Sequence, residues 1–375
     1  GFPNRSGRWF GFHGVSFIHP LIMFAPAPII VLLGMNMATS PVDSLSTKLL
    51  NRRGLIRGTT ATVVSILKQQ LVVPPAYSAD DVPSASASTA DVTVPKSKSV
   101  VVLGAGGGTG RECVKALLSS NRPCIATNRK GDFEYNEESG NPTLNPNLLS
   151  VAAADVTSPS SLSDVISSKK SNIGAVIFAA SASTKGGDPS SVDREGVLNA
   201  ARCCIANRIP RLVVVSSGTV TRPDSAVYKL LNFVGKGIME EKMKGEDGLR
   251  ELYADPNLIR RGLGYTVIRP GGLTVGESLG ASALELNQGD DKSGRLARSD
   301  VAALCVNCLD SGDAFDATFE CYNANTAKPV ESVGFSNIMK STDATKYVSG
   351  YERRGDTWED LFRGLLRDKG HDDVA

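Results

Sequence analysis

The chain has 375 residues, 41% of them hydrophobic and 21% charged, which is an ordinary composition for one large or two small globular domains. Its net charge of +2 favours no particular class of partner. Because no basic stripe with interleaved aromatic residues occurs in the predicted folded part, we predict no binding to nucleic acid.

The cysteines and histidines argue against a metal centre. All seven cysteines follow residue 100, and several lie inside apolar runs, which indicates buried, reduced thiols rather than a disulfide framework. Cys305 and Cys308 form a CxxC pair within an apolar helical pattern, without a second pair at zinc spacing. His13, His19 and His371 lie near the chain ends, so we predict no metal site and no Ser-His-Asp triad in the folded part.

Residues 1–79 are predicted to form a targeting presequence. Asp43 is their only acidic residue, whereas Ser and Arg are frequent, which is typical of an organelle transit peptide. The apolar run Leu21–Met35 is short and broken by prolines, and it resembles a signal-peptide core rather than a membrane span. A signal followed by a transit segment resembles the bipartite presequences of algal plastids with additional envelope membranes. From Arg52 onwards the alternative to a transit helix is a twin-arginine thylakoid signal, and we favour the transit helix.

Residues 80–98 are predicted to be a disordered linker. They are rich in Ser, Ala, Val and Pro and show no helical period. We therefore place the start of the folded domain at Ser99, and we predict no transmembrane helix in the mature protein.

A glycine turn follows the first strong apolar run of the predicted domain. Val100–Leu103 is a continuous apolar stretch, typical of a parallel strand covered on both faces. Glycines then recur at every third position, and a helical pattern follows. A helix that begins here would direct free N–H groups at a pyrophosphate. We predict that the turn binds the phosphates of a cofactor through Gly104, Gly107, Gly108, Thr109 and Gly110; the alternative is a glycine-rich surface loop.

Strand and helix patterns alternate along the rest of the chain. Strands are predicted at Ser99–Leu103, Pro123–Thr127, Leu149–Asp155, Ala175–Ala180, Arg211–Ser217, Tyr265–Pro270 and Ala317–Tyr322. Helices are predicted at Arg111–Leu118, Pro159–Ser168, Val192–Asn207, Lys236–Tyr253 and Asp300–Asp310. The alternation predicts an α/β fold with a single Rossmann-like, doubly wound parallel sheet over residues 99–325. In such a sheet the ligand lies across the carboxyl ends of the strands.

Several of these segments resemble one family in order and spacing. They are Gly104-x-x-Gly107-x-x-Gly110, Val213–Ser217, Thr266–Gly272 and Arg298–Ala302. Residues 99–325 are similar to atypical short-chain dehydrogenases/reductases with an NmrA-like NAD(P)-binding domain, which implies a nicotinamide cofactor. The segment Lys242–Arg250 resembles plastid members of the family, which include the NADP-binding subunit of the inner-envelope translocon and photosystem assembly factors.

The end of the second predicted strand distinguishes NADP(H) from NAD(H). An acid usually holds the ribose hydroxyls there in NAD enzymes, but this chain has Asn128, Arg129 and Lys130. A guanidinium suits a 2′-phosphate because it offers paired donors and a permanent charge. We therefore predict NADP(H) as the cofactor, with Arg129 on the 2′-phosphate; the alternative is an exposed basic turn.

Three further strand ends supply predicted cofactor contacts. Asp155 and Val156 are expected at the adenine edge, as in similar proteins, although Asp155 could instead cap the next helix. Ala179 and Ala180 are small and would leave room for the ribose and pyrophosphate. The stretch Pro270-Gly271-Gly272 is expected to surround the nicotinamide.

The expected proton donor of a short-chain reductase is missing from the sequence. In the common reductases a Tyr-x-x-x-Lys pair donates the proton and a Ser orients the substrate. Ser216, Ser217 and Lys242 are the candidate catalytic residues here, but Ile238 occupies the position of the tyrosine. Tyr228 could reach in from the loop that we predict before the helix. Lys242 is then expected to keep a ribose or phosphate contact, or else to be a solvated helix lysine.

Two classes of function remain open from the sequence. One is an NADP(H)-binding assembly or redox-sensing factor of a plastid complex with weak or no carbonyl reductase activity, in the stroma and in contact with thylakoids. The other is an NADPH-dependent oxidoreductase acting on a quinone or a small carbonyl. The extension 326–375 has an apolar stripe at Trp358, Leu361, Phe362 and Leu365, which predicts a helix that closes on the domain or binds a partner.

Overall fold

Buried apolar runs form the strands of a central sheet. The structure is a computed structural model that describes residues 93–134, 145–182, 187–334 and 348–368. The predicted presequence and most of the predicted linker lie outside these residues. In chain order the strands are β1 Ser99–Leu103, β2 Cys124–Asn128, β3 Leu149–Ala153, β4 Ile173–Phe178, β5 Arg211–Val215, β6 Gly264–Pro270, β7 Gly272–Thr274, β8 Leu284–Asn287, β9 Lys292–Ser293, β10 Arg295–Ala297, β11 Ala317–Asn323 and β12 Lys328–Pro329.

The helices connect the strands of this sheet. They are α1 Gly108–Ser119, α2 Pro159–Ser168, α3 Gly196–Asn207, α4 Ala226–Val234, α5 Ile238–Tyr253, α6 Pro256–Arg260, α7 Arg298–Asn307 and α8 Trp358–Phe362. A π-helical turn, Ser190–Glu195, leads directly into α3. None of the helices in the described part of the chain is long and apolar enough to cross a membrane.

The strand order confirms the predicted doubly wound sheet. The eight strands run β3-β2-β1-β4-β5-β6-β11-β8, and all neighbours are parallel except β8, which pairs antiparallel with β11. β7 pairs with β10 and β9 with β12 outside this sheet. The order reverses between β1 and β4, so a crevice opens at their carboxyl ends.

The core is divided by the sheet into two layers. Val100 and Val102 pack with apolar residues of α1 and α7 on one face. Val101 and Leu103 pack with residues of α2, α3 and α5 on the other face. Successive side chains of a strand point to opposite faces, so a strand covered on both sides is apolar throughout.

Ordered packing begins earlier than the sequence predicts. Val94 is buried, and its N–H donates to Leu309 O at 2.9 Å. Its carbonyl accepts from the buried guanidinium of Arg122 at 2.5 Å. Within the described residues, the last part of the predicted linker is therefore held by the domain, from at least Val94 onwards.

The C-terminal extension closes over the β8 edge of the sheet. Leu286 and Arg353 form an antiparallel bridge, and Leu361, Phe362 and Leu365 are buried in the core of the domain. The apolar stripe thus packs on the domain itself and is not free for a partner. α8 ends at Phe362, before the last residue of the stripe, because Gly364 adopts a positive φ of 75° that turns the chain.

Candidate functional site

A cleft of about 820 Å³ opens at the carboxyl ends of β1, β2 and β4, where the strand order reverses. Of the predicted cofactor residues, the cleft is lined by Gly104, Gly107, Gly108, Thr109, Arg129, Asp155, Val156, Ala179 and Ala180. Gly110, Lys242, Pro270, Gly271 and Gly272 are not among the lining residues. Most of the residues that the sequence predicts to contact the cofactor therefore line this cleft.

The glycine turn is shaped by close backbone approaches. Gly104 has a φ of +87°, and a Cβ there would lie 2.7 Å from the Ala180 backbone nitrogen. Gly110 is buried beneath the turn, where a Cβ would overlap the Gly104 carbonyl. Gly110 therefore packs beneath the turn and does not line the cleft, although the sequence predicts a cofactor contact for it. α1 begins at Gly108, and its N-cap residue, Gly107, leaves the first N–H groups without a side-chain cap.

The basic turn after β2 is organised by Asn128. Its Oδ1 accepts hydrogen bonds from the backbone N–H groups of Lys130 at 3.0 Å and Gly131 at 2.6 Å. Its Nδ2 donates to Asp132 Oδ1 at 2.9 Å, so the nearest acid is held by the turn itself. Arg129 remains exposed and lines the cleft. This arrangement leaves a guanidinium, and not a carboxylate, at the end of β2.

Asp155 does not cap α2. Its Oδ1 accepts from the N–H of Thr157 at 2.9 Å and from the Thr157 hydroxyl at 2.8 Å. Ser158 is the N-cap of α2 and accepts from the Ser161 N–H. The capping alternative for Asp155 is therefore wrong, and its carboxylate stands at the edge of the cleft with Val156.

Lys242 is bound to a buried carboxylate behind the cleft wall. Its Nζ lies 2.8 Å from Oδ1 of Asp193, a residue of the π-helical turn with a fully buried side chain. Asp193 also accepts from the Ser181 hydroxyl at 2.7 Å and the Ala182 N–H at 2.9 Å. This ion pair engages the Lys242 ammonium and fixes the chain where it leaves β4. A ribose or phosphate contact of Lys242 stays a prediction.

Ser216 is likewise engaged by a carboxylate of α5. Its hydroxyl donates to Glu246 Oε1 at 2.5 Å, and the neighbouring Ser217 donates to Gly218 O at 3.2 Å. Glu246 is buried and receives the guanidinium of Arg269 at 2.6 Å and that of Arg250 at 2.9 Å. Burial raises the pKa of Glu246, but the two guanidinium groups outweigh it, so the pKa lies below its ordinary value.

Tyr228 belongs to α4 and not to a loop. Ser225 caps this helix and accepts from the Tyr228 N–H at 3.1 Å. Ile238, the first residue of α5, occupies the place four residues before Lys242. The Tyr-x-x-x-Lys arrangement of a carbonyl reductase is therefore not present on α5.

In the segment that follows β6, the residue that lines the cleft comes directly after the predicted stretch Pro270–Gly272 in the sequence. The Gly271 N–H donates to Cys321 O and the Gly272 N–H to Gly294 O, so both residues pack against neighbouring strands. Leu273 lines the cleft in their place, together with Arg298, the first residue of α7. Leu273, and not Pro270–Gly272, therefore lines the cleft at the place where the sequence predicts the nicotinamide.

These elements include the region that identifies the family. Residues 104–312, from the glycine turn to beyond α7, match the sequence profile of a family described as NAD(P)H-binding. The chain belongs to this NAD(P)H-binding family. The match confirms the predicted nicotinamide cofactor.

Relatives of this NAD(P)H-binding protein include two chloroplastic proteins of Arabidopsis thaliana. An uncharacterized one is 27% identical over 226 residues, which are 57% of this chain and 72% of that protein. High Chlorophyll Fluorescence Phenotype 173 is 39% identical over 83 residues, which are 22% of this chain and only 12% of that protein. Among solved structures, an oxidoreductase of Lactococcus lactis is 17% identical, with a TM-score of 0.47 over 66% of this chain and 100% of that one.

The sequence analysis assigns no role in the site to Asn128, Asp193 or Arg298. An Asn at a strand end before Gly131 is a signal for an Asx turn, so the role of Asn128 could have been recognised. Arg298 is the first residue of a helix that directly follows a short strand, and this pattern indicates a position at the edge of the sheet. Asp193 carries no such signal, because its burial depends on the π-helical turn.

Glu320 gives the NAD(P)H-binding domain a pH-dependent stability. Burial and the Asp290 carboxylate raise the pKa of Glu320 to about 8. Arg269 opposes this rise, but its guanidinium lies 3.1 Å from Glu320 and is closer to Glu246, at 2.6 Å. The folded state therefore holds a proton that the unfolded state releases above about pH 4.5. We expect the contribution of protonated Glu320 to the free energy of unfolding to be complete below pH 4.5 and to be lost as the pH rises through 8.

Urea unfolding at several pH values measures this effect. The free energy of unfolding of the wild type, relative to Glu320→Gln, should decrease steadily between about pH 5 and pH 8. A difference that stays constant or increases over this range would show that Glu320 is ionised in the folded state.

Proposed function

We propose that the chain is an NADP(H)-binding assembly or redox-sensing factor of the plastid with little or no carbonyl reductase activity. The observation that carries this proposal is the state of two of the three candidate catalytic residues. Ser216 and Lys242 are each bound to a buried carboxylate, Glu246 and Asp193. In the same molecule the glycine turn and the basic turn border an open cleft of cofactor size.

The cofactor is held by residues present on the cleft wall. The uncapped start of α1 suits the pyrophosphate, because its N–H groups and helix dipole favour an anion. Asp155 and Val156 are suited to the adenosine. When bound, a reduced nicotinamide supplies a hydride; the chain itself binds and orients the dinucleotide.

Arg129 makes the preference for NADP(H) testable. A charge-assisted contact to the 2′-phosphate is worth about 1.5–3 kcal/mol. Arg129→Ala should therefore weaken NADPH binding about tenfold or more and leave NADH binding nearly unchanged. Calorimetric titration of both cofactors measures the two affinities.

Lys130→Ala is the matched control for this titration. Lys130 is exposed in the same turn but does not line the cleft, so its removal should change the NADPH affinity by less than twofold. If the unmutated protein binds NADH as tightly as NADPH, the assignment of Arg129 to a 2′-phosphate is wrong.

The low activity follows from the missing proton donor. General acid catalysis typically contributes a factor of about 10²–10⁴, and the chain has Ile238 in the place of the tyrosine. We expect NADPH to bind the full chain without rapid oxidation in the presence of aldehydes or ketones. Absorbance at the wavelength of reduced nicotinamide reports turnover, and co-purification with thylakoid protein tests the assembly role. Rapid reduction of an aldehyde or ketone would contradict the proposal.

An oxidoreductase acting on a quinone is the second candidate function. Leu273 presents an apolar side chain to the cleft, and the nearby Val275 is 94% exposed, which suits an apolar acceptor. A quinone can accept a hydride from the cofactor while water supplies the proton, so Ser216 and Lys242 would not be needed. Turnover of quinones without turnover of aldehydes or ketones would favour this function.

The plastid location is supported from two directions. Both Arabidopsis relatives are named as chloroplastic. The acid-poor, Ser- and Arg-rich leader has the composition of a transit peptide. The stroma suits a protein that uses the soluble NADPH pool, with thylakoid protein as the partner of an assembly factor.

A further inference from the structure

Arg298 brings a second guanidinium to the cleft. It is half-buried at the first position of α7 and lines the cleft together with Arg129. A Cβ at Gly108, where α1 begins, would lie 3.0 Å from both Cδ and Nε of Arg298. The guanidinium is therefore packed against the glycine turn, where the predicted pyrophosphate lies.

Within the described part of the chain, one hydrogen bond holds the Arg298 guanidinium, and most of its N–H donors have no partner there. Nη1 of Arg298 donates to Thr274 O at 3.2 Å. Among the described residues no carboxylate lies within ion-pair distance of the guanidinium. The nearest acid in the sequence, Asp300, accepts instead from the Ser278 hydroxyl at 2.6 Å and from the Leu279 N–H at 2.8 Å. The positive charge of Arg298 is therefore available at the cleft wall.

The start of α1 carries a partial positive charge, which favours a negatively charged ligand. Its first turn contains no acidic residue, and the N-cap, Gly107, has no side chain to accept the free N–H groups. An anion placed there would be held by these N–H groups and by the adjacent guanidinium. A pyrophosphate offers the paired oxygens that a guanidinium binds in a bidentate manner.

We propose that Arg298 binds the pyrophosphate of the dinucleotide, on the side of the nicotinamide; this inference rests on the proposed cofactor binding. The position distinguishes its role from that of Arg129. Arg129 follows β2, on the side of Asp155 and the adenosine, whereas Arg298 adjoins Gly108 and Thr274, on the side of β7. Arg129 then recognises the 2′-phosphate, and Arg298 recognises the group that NADP(H) and NAD(H) share.

Binding of four ligands distinguishes the role of Arg298 from that of Arg129. NADPH contains both the pyrophosphate and the 2′-phosphate, NADH and ADP-ribose contain only the pyrophosphate, and adenosine 2′-monophosphate contains only the 2′-phosphate. Arg298→Gln should weaken NADPH, NADH and ADP-ribose about tenfold or more and change adenosine 2′-monophosphate by less than twofold. Arg129→Ala should weaken NADPH and adenosine 2′-monophosphate and leave the other two unchanged.

Calorimetry and ligand-observed NMR on the full chain provide these affinities, and the melting temperature without ligand reports the fold. Arg298→Lys keeps the charge but loses the bidentate geometry, so it should recover part of the affinity for ADP-ribose. Unchanged ADP-ribose binding by Arg298→Gln would overturn the inference. A loss of equal size for all four ligands would overturn it as well, because it would indicate general damage to the cleft.

The two proposals fail in different ways. If the unmutated chain binds neither NADPH nor NADH, the proposed function fails and the role of Arg298 falls with it. If the unmutated chain binds them and Arg298→Gln binds ADP-ribose equally well, only the role of Arg298 is wrong.

Discussion

Glu246→Gln is expected to lower the free energy of unfolding by about 3–5 kcal/mol, the cost of removing one partner from a buried ion pair. Glu246 is 1% exposed and accepts from Ser216, Arg250 and Arg269. An amide at this position would remove the negative charge nearest to the buried Arg269 guanidinium, which lies 2.6 Å from Glu246 and 3.1 Å from Glu320. Urea unfolding followed by circular dichroism measures the difference.

Glu251→Gln is the matched control, because it is the same substitution on an exposed residue of the same helix. Its effect should stay within about 0.5 kcal/mol. The loss in Glu246→Gln should also be smaller when Arg269 is replaced by Met in the same chain, since the unpaired charge is then gone. Stability equal to that of the wild type in the single Glu246 variant would refute the network.

Much of the fold could be predicted because its main signal is local. A parallel strand covered on both faces is mostly apolar, so β1, β4 and β5 are visible as nearly continuous apolar runs. β8 lacks this signal because Glu285 lies in the middle of it. The burial of Glu285 depends on Lys292 at 2.6 Å and on Arg354, which is 69 residues away in the chain. A pattern search cannot detect such a partner.

α4 was missed although the sequence contains its signal. Ser225 stands at the cap position, and Val227, Leu230, Leu231 and Val234 have the spacing of an apolar helical face. None of the α4 residues is buried, so this helix is defined by local pattern and not by packing. Without α4, the sequence analysis places Tyr228 in a loop that reaches the nicotinamide; in the structure Tyr228 is a residue of α4.

The cofactor side of the site was more predictable than the catalytic side because its signals are local in the sequence. The glycine turn, the first turn of α1 and the basic turn after β2 are each continuous in sequence, and their chemistry follows from local residue types. The partners of Ser216 and Lys242 come from other elements; Ser216 and Glu246 are 30 residues apart. The sequence therefore identified the candidate catalytic side chains but not the carboxylates that engage them.

Gly110→Ala is the second substitution with a large expected effect, because the glycine turn has no room for a side chain at this position. An added Cβ would overlap the Gly104 carbonyl and lie 2.9 Å from the Ala105 Cα. All of these neighbours are backbone atoms, which cannot move aside without shifting the turn. The free N–H groups at the start of α1 would then move away from the place where we propose that the phosphates bind.

We expect Gly110→Ala to cost about 1–3 kcal/mol of stability, typical of overpacking, and to weaken NADPH binding about tenfold or more. Calorimetry provides both quantities. Gly106→Ala is the control for stability, because a Cβ at Gly106 would meet nothing closer than Asn128 Cβ at 3.8 Å. Gly106→Ala should therefore keep the wild-type melting temperature. If Gly110→Ala also kept the wild-type melting temperature and NADPH affinity, the close contact between Gly110 and Gly104 would not be what holds the turn in shape.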